Sequence, residues 1–149
     1  MYYDKYSNDS GLEIKFVNFI HSRIEQINAV FKDWIIFRND GFKEFKIYDN
    51  RVGSFTYGTG FEPDFIFFGI KKDEVDNGNI TNEYIFEPKG GHLSGGGMGI
   101  DSWKETLLEF LGRDYKAGKN LTVVGFPFFK DEKGIVNQEF LDKFNEIIK

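Results

Sequence analysis

The chain has 149 residues, 40% of them hydrophobic and 29% charged, a balance that fits one folded domain over residues 1–149 and excludes a disordered or fibrous chain. It has no cysteine, which excludes disulfides, thiolate metal sites and a cysteine nucleophile, and its apolar runs are far too short to span a bilayer. The net charge is −5 and Lys and Arg are interspersed with Asp and Glu, so no basic stripe awaits a phosphate backbone and any intrinsic affinity for nucleic acid is expected to be weak.

The opening Met1-Tyr2-Tyr3-Asp4 lacks a charged-then-apolar leader, and the expected setting is cytoplasmic, away from membranes. Leu12, Phe16, Phe19, Ile20 and Ile24 recur at the spacing of one helix face and predict a helix over residues 10–27, with Ser10 and Glu13 as a capping box. Ile27, Val30 and Phe31 prolong the pattern, as one long helix or two. Residues 34–37 and 45–48 read as strands around the turn Asn39-Asp40-Gly41. Gly58-Thr59-Gly60 leads into Pro63-Asp64 and a strand over 65–70, and a polar connection joins it to a strand over 84–87. After a loop over 90–100, Asp101-Ser102 can cap a helix whose apolar face is Trp103, Leu107, Leu108 and Leu111, with Gly112 as its stop. A strand over 121–126 and a helix marked by Phe140, Leu141, Phe144, Ile147 and Ile148 complete the order. Helix, several strands, helix, strand, helix implies an α/β fold with a central mixed β-sheet flanked by helices. The aromatic residues, 18 Phe, 7 Tyr and 2 Trp, lie mostly in these runs and are expected to build the core, base stacking being the alternative.

Two of the strands each bring a carboxylate to an end. Asp64 opens one, and Glu87 closes the next, followed by Pro88-Lys89-Gly90. If the two strands are antiparallel neighbours, the start of the first lies beside the end of the second and the carboxylates meet. Pro63 and Pro88 suit strand ends, where a missing donor is tolerated. Two carboxylates at a sheet edge make an oxygen site for Mg²⁺, with Mn²⁺ able to substitute and the Pro88 carbonyl able to join. Such a cation activates water and offsets charge on a phosphate. Lys89 falls on the same side of the strand as Glu87, where its ammonium can stabilise the transition state. The bland alternative is a turn Asp with an exposed Glu and Lys at a strand end.

These residues form the PD-(D/E)xK pattern of metal-dependent nucleases. The blocks from Gly60 through Pro63-Asp64 to Phe68, from Phe86 through Glu87-Pro88-Lys89-Gly90 to His92-Leu93, and Asp101-Ser102-Trp103-Lys104-Glu105 with Leu108 resemble the C-terminal nuclease region of the restriction subunit of type III restriction enzymes. Arg38-Asn39-Asp40 is similar to a short Arg-Asn segment of that family, and Gly95-Gly96-Gly97-Met98-Gly99 lengthens the loop after the second block. The resemblance implies the restriction-endonuclease-like fold and Mg²⁺-dependent cleavage of double-stranded DNA. It also implies two partners: an ATP-dependent helicase translocase on the same polypeptide and a modification methyltransferase subunit.

Smaller signals remain open. Glu13 can reach the metal from the first helix or serve only its capping box. His92 can line the cleft near Lys89 or sit exposed in its glycine-rich loop, and Lys104 can touch a phosphate while Trp103 packs in the core. His21 has no evident partner, and Glu62 is expected to be solvated. No phosphate-binding P-loop and no serine-hydrolase elbow is present. Two rival readings are a catalytically silent nuclease-fold module used for docking, and a glycosidase with Asp64 and Glu87 as acid and base, in which Lys89 has no role.

Overall fold

A computed structural model describes residues 11–39, 47–48, 53, 60–73, 79–89, 104, 107–108, 115–116 and 121–148. The first helical stretch is two helices, α1 (Gly11–Ser22) and α2 (Ile24–Val30). The break falls at Arg23, whose N–H donates to the Ile20 carbonyl, three residues back, while the Ser22 hydroxyl donates to the Phe19 carbonyl. Both bonds tighten the turn and interrupt the four-residue ladder. Phe31 keeps helical spacing in the sequence but starts a strand, because its ring is buried against Phe67 and Tyr84, 5.0 and 6.0 Å away.

In chain order the strands are β1 (Phe31–Arg38), β2 (Ile47–Tyr48), β3 (Gly60–Phe61), β4 (Phe65–Lys71), β5 (Asn82–Phe86), β6 (Tyr115–Lys116), β7 (Thr122–Gly125), β8 (Asp131–Glu132) and β9 (Ile135–Val136), and the chain closes on α3 (Gln138–Ile147). The main sheet has the order β1-β4-β5-β7-β6 and is mixed: β1, β4 and β5 run antiparallel, β5 and β7 parallel, β7 and β6 antiparallel. The expected α/β arrangement around a mixed sheet is therefore present. β2 pairs with β3, and β8 with β9. The β8–β9 hairpin, which the sequence pattern did not signal, turns on Lys133 and Gly134 at φ of 53° and 86°, the left-handed conformation that two-residue hairpin loops require. Among the described residues no helix is long and apolar enough to cross a membrane.

Strand alternation sends Phe65, Phe67, Tyr84, Phe86 and Val124 to one face, where α1 and α3 cover them with Phe16, Phe19, Phe140 and Phe144. Phe16 is fully buried and its ring meets those of Phe65, Phe86 and Phe129 at 4.8, 5.1 and 5.3 Å. The aromatic excess is thus core material, as expected. Ile85 and Val123 point to the other face and pack on the helical residues Leu107 and Leu108 and on Phe128. A Cβ on Gly125 would lie 2.6 Å from the Leu108 carbonyl oxygen, so that helix approaches the sheet as closely as it does only because residue 125 is glycine.

Candidate active site

The β4–β5 register pairs Phe65 with Phe86, so the next residues outward, Asp64 and Glu87, meet where the two strands end. The Asp64 N–H donates to Glu87 Oε1 at 2.9 Å. Lys89 Nζ stands 3.7 Å from Glu87 Oε2, on the side of the extended chain that two-residue alternation assigns it. Glu87 is buried, at 2% exposure.

Residues 128–130 hold this segment from outside. The Phe129 N–H donates to the Glu87 carbonyl and the Lys89 N–H to the Phe129 carbonyl, at 3.2 and 3.1 Å, forming a parallel bridge between Pro88 and Phe129. Proline at 88 is accommodated because this ladder takes its donor from Lys89 and its acceptor from Glu87. The Pro88 carbonyl, by alternation, turns away from Phe129. Asn137 supports the same segment twice: its Oδ1 accepts from the Lys130 N–H at 2.8 Å, and its Nδ2 donates to the Phe128 carbonyl at 3.0 Å.

A second group reaches Asp64 from the α1 side. Arg38, the last residue of β1, pairs in register with Phe65, and the following Asn39 N–H donates to the Asp64 carbonyl at 2.8 Å. The Arg38 guanidinium lies 3.3 Å from the carboxylate of Glu13, which is buried on α1 one turn before Phe16. Asp64 stands at the seam of the two groups. Burial raises its pKa from 3.8 to about 6, the Glu13 charge adds to the rise, and Lys89, Arg38 and Lys104 oppose it. Glu87 is pushed from 4.5 to about 8, chiefly by burial and then by the Asp64 charge, against the Asp64 N–H bond and the charges of Lys89 and Lys104. Both carboxyls thus hold protons more tightly than free ones, as happens where acids are packed together away from water.

The structure therefore brings together Asp64, Glu87, Lys89 and Glu13, with Lys104 near enough for its charge to act on both raised carboxyls. In the sequence Arg38 stands out only as part of a likeness, with no role attached; the register that sets it beside Asp64 is a pairing no local pattern reveals. Glu62 is exposed, as expected, and so is His21. His92, Ser10, Trp103 and Gly95 to Gly99 lie outside the described residues. Among the described residues no three His, Cys, Asp or Glu side chains are grouped to hold a metal, and Glu13 faces Arg38. Two adjoining carboxylates with a backbone carbonyl still fit Mg²⁺, which keeps several of its own waters and takes one or two carboxylates from protein. Part of the rise at Glu87 comes from the Asp64 charge, a repulsion that a divalent cation would offset.

The model of the HI_1054_C family, described as a C-terminal domain, matches residues 1–146, and the chain belongs to that family. No curated protein and no solved structure matches it.

Proposed function

We propose that this member of the HI_1054_C family is a Mg²⁺-dependent endonuclease module of the PD-(D/E)xK class that hydrolyses DNA phosphodiesters. The observation that carries the reading is the Asp64 N–H bond to Glu87 with Lys89 Nζ beside the same carboxylate, which unites acid, acid and cation at one strand end. Asp64, Glu87 and the Pro88 carbonyl would hold the ion, which supplies Lewis acidity toward water and the scissile phosphate. The chain's own residues do the rest. Burial keeps bulk water from screening the Glu87 carboxylate, so its attraction for a cation is stronger than at the surface. Lys89 Nζ, already anchored by Glu87, can donate a hydrogen bond to the attacking water or to a phosphoryl oxygen as charge builds there. Attack at phosphorus breaks one P–O ester bond and leaves a phosphate and a hydroxyl end.

A docking module without chemistry has no use for two carboxyls packed together at a cost in stability, whereas perturbed acids gather at working sites. The resemblance to type III restriction subunits extends the proposal: DNA affinity would come largely from a translocase portion and a modification subunit, in keeping with the net charge of −5. Cleavage of duplex DNA in low salt with Mg²⁺ or Mn²⁺, with such partners supplied, tests it. Asp64→Asn and Lys89→Ala are expected to abolish cutting while leaving the fold intact, and unchanged cutting by either would sink the assignment.

A further inference from the structure

The cation arrangement at the site is uneven. Lys89 is engaged by Glu87, the residue it must serve beside, and reaches the cluster from the strand end. Arg38 arrives from the opposite side, at the end of β1, in register with Phe65 and next to Asp64. Among the described residues its guanidinium is tied to the carboxylate of Glu13, at 3.3 Å, yet its side chain keeps 27% exposure whereas that of Glu13 keeps 8%. A guanidinium is a planar fork with five N–H donors, so an Arg held along one edge by a buried carboxylate can offer the other edge to a second oxyanion in a fixed orientation. A lysine cannot do this, because an ammonium is a point donor.

Glu13 itself is placed by the core. It sits on α1 three residues before Phe16, whose ring is locked between Phe65 and Phe86, so its carboxylate has little freedom to leave Arg38. On the other flank, Lys15 of the same helix pairs with Asp131 at 3.5 Å, tying α1 to the chain that follows Phe129.

Resting on the nuclease reading above, we infer that Arg38 binds a phosphate of the substrate backbone beside Asp64, and that Glu13 is a positioning residue for Arg38 and not a metal ligand. The guanidinium takes Glu13 with one edge and a non-bridging phosphate oxygen with the other. The two roles left open for Glu13 by its place on the first helix are thereby replaced by a third.

Three variants of the full chain test this, with Asp64→Asn as the reference. DNA binding is read by fluorescence anisotropy on a duplex at low ionic strength with Ca²⁺, cutting by single-turnover rates with Mg²⁺ and the translocase and modification partners supplied, metal affinity by Mn²⁺ calorimetry without DNA, and folding by circular dichroism. Arg38→Lys keeps the charge, so Glu13 stays compensated and the fold is preserved, but the fork is gone; duplex affinity is expected to fall about tenfold, with Mn²⁺ affinity within about twofold of the parent. Glu13→Gln is expected to weaken duplex binding several-fold, again with Mn²⁺ affinity kept, and to add almost nothing in an Arg38→Lys background. Arg38→Gln takes the Arg38 charge away from the buried Glu13 carboxylate and is expected to lower the melting temperature as well as binding. Parental duplex binding and cutting by Arg38→Lys, with Asp64→Asn inactive, would overturn the inference and leave the nuclease reading standing. A loss of Mn²⁺ affinity of tenfold or more in Glu13→Gln would overturn it in favour of metal ligation. Cutting by Asp64→Asn would remove the nuclease reading and this inference together.

Discussion

Replacing Glu87 by glutamine should make the metal-free protein more stable at alkaline pH. The folded state holds the Glu87 proton up to about pH 8, whereas an unfolded chain releases it near 4.5. The folded state therefore binds the proton over that window while the unfolded state does not, and stability is fully present below pH 4.5 and lost as pH rises toward 8. The gap between 4.5 and about 8, at roughly 1.4 kcal/mol for each pH unit, makes the loss on the order of 5 kcal/mol, a large share of the ~5–15 kcal/mol that holds a domain together. Glutamine keeps an oxygen where Oε1 accepts the Asp64 N–H, so that bond survives while the buried charge disappears. Urea unfolding in EDTA at pH 5 and pH 8 gives the readout. At pH 8 the midpoint of Glu87→Gln should exceed the parent's by about 1 M or more, for a urea slope of about 1–3 kcal/mol per molar. At pH 5 the two should lie close together, because the parent is then mostly protonated. Millimolar Mg²⁺ at pH 8 should raise the parent's midpoint and leave the variant's nearly unmoved. Parallel pH profiles for the two proteins would refute the reasoning, since they would mean that Glu87 ionises as freely folded as unfolded.

Two further substitutions probe how the site is held. Gly125→Ala places a methyl 2.6 Å from the Leu108 carbonyl oxygen and 2.9 Å from its Cα, backbone atoms that can yield only if the helical residues 107–108 move off the sheet. A loss of about 1–3 kcal/mol in urea unfolding is expected, and parental stability would mean the approach is not as close as described. Asn137→Ala removes both side-chain bonds to residues 128 and 130 and leaves two partly buried backbone groups without them, for about 2–4 kcal/mol. Because that segment pairs with Pro88 and Lys89, its single-turnover cleavage rate should fall while Mn²⁺ affinity at Asp64 and Glu87 is kept; a normal rate in a destabilised protein would show the support to be dispensable.

Several elements were legible because their signals are local. The run Phe65 to Ile70, the terminal helix through Phe140 and Phe144, and the helical character of Lys104, Leu107 and Leu108 all follow from apolar spacing and flanking residues. The meeting of Asp64 and Glu87 was legible too, given one condition, that their strands be antiparallel neighbours, and that condition is met. The division between α1 and α2 was not, because Phe16 to Phe31 keep one helical rhythm and the choice of Phe31 for the sheet comes from its burial against Phe67 and Tyr84. The β8–β9 hairpin has only two residues in each strand, Asp131–Glu132 and Ile135–Val136, too few for any alternation to register.

The amino-acid sequence by itself determined which residues to propose for chemistry, Asp64, Glu87 and Lys89, and which apolar stripes must be buried, since both depend on side-chain type and near-neighbour spacing. Only the tertiary structure decided that Arg38 and Glu13 face each other beside Asp64, that β7 runs parallel to β5, and that Phe129 and Asn137 brace the Lys89 segment. Apart from the bonds of Asn137 to residues 128 and 130, those contacts join residues from about 25 to more than 40 positions apart, and their register is set by how Phe16 and its neighbouring rings pack, a cooperative outcome of the whole core that no local stretch of chain encodes.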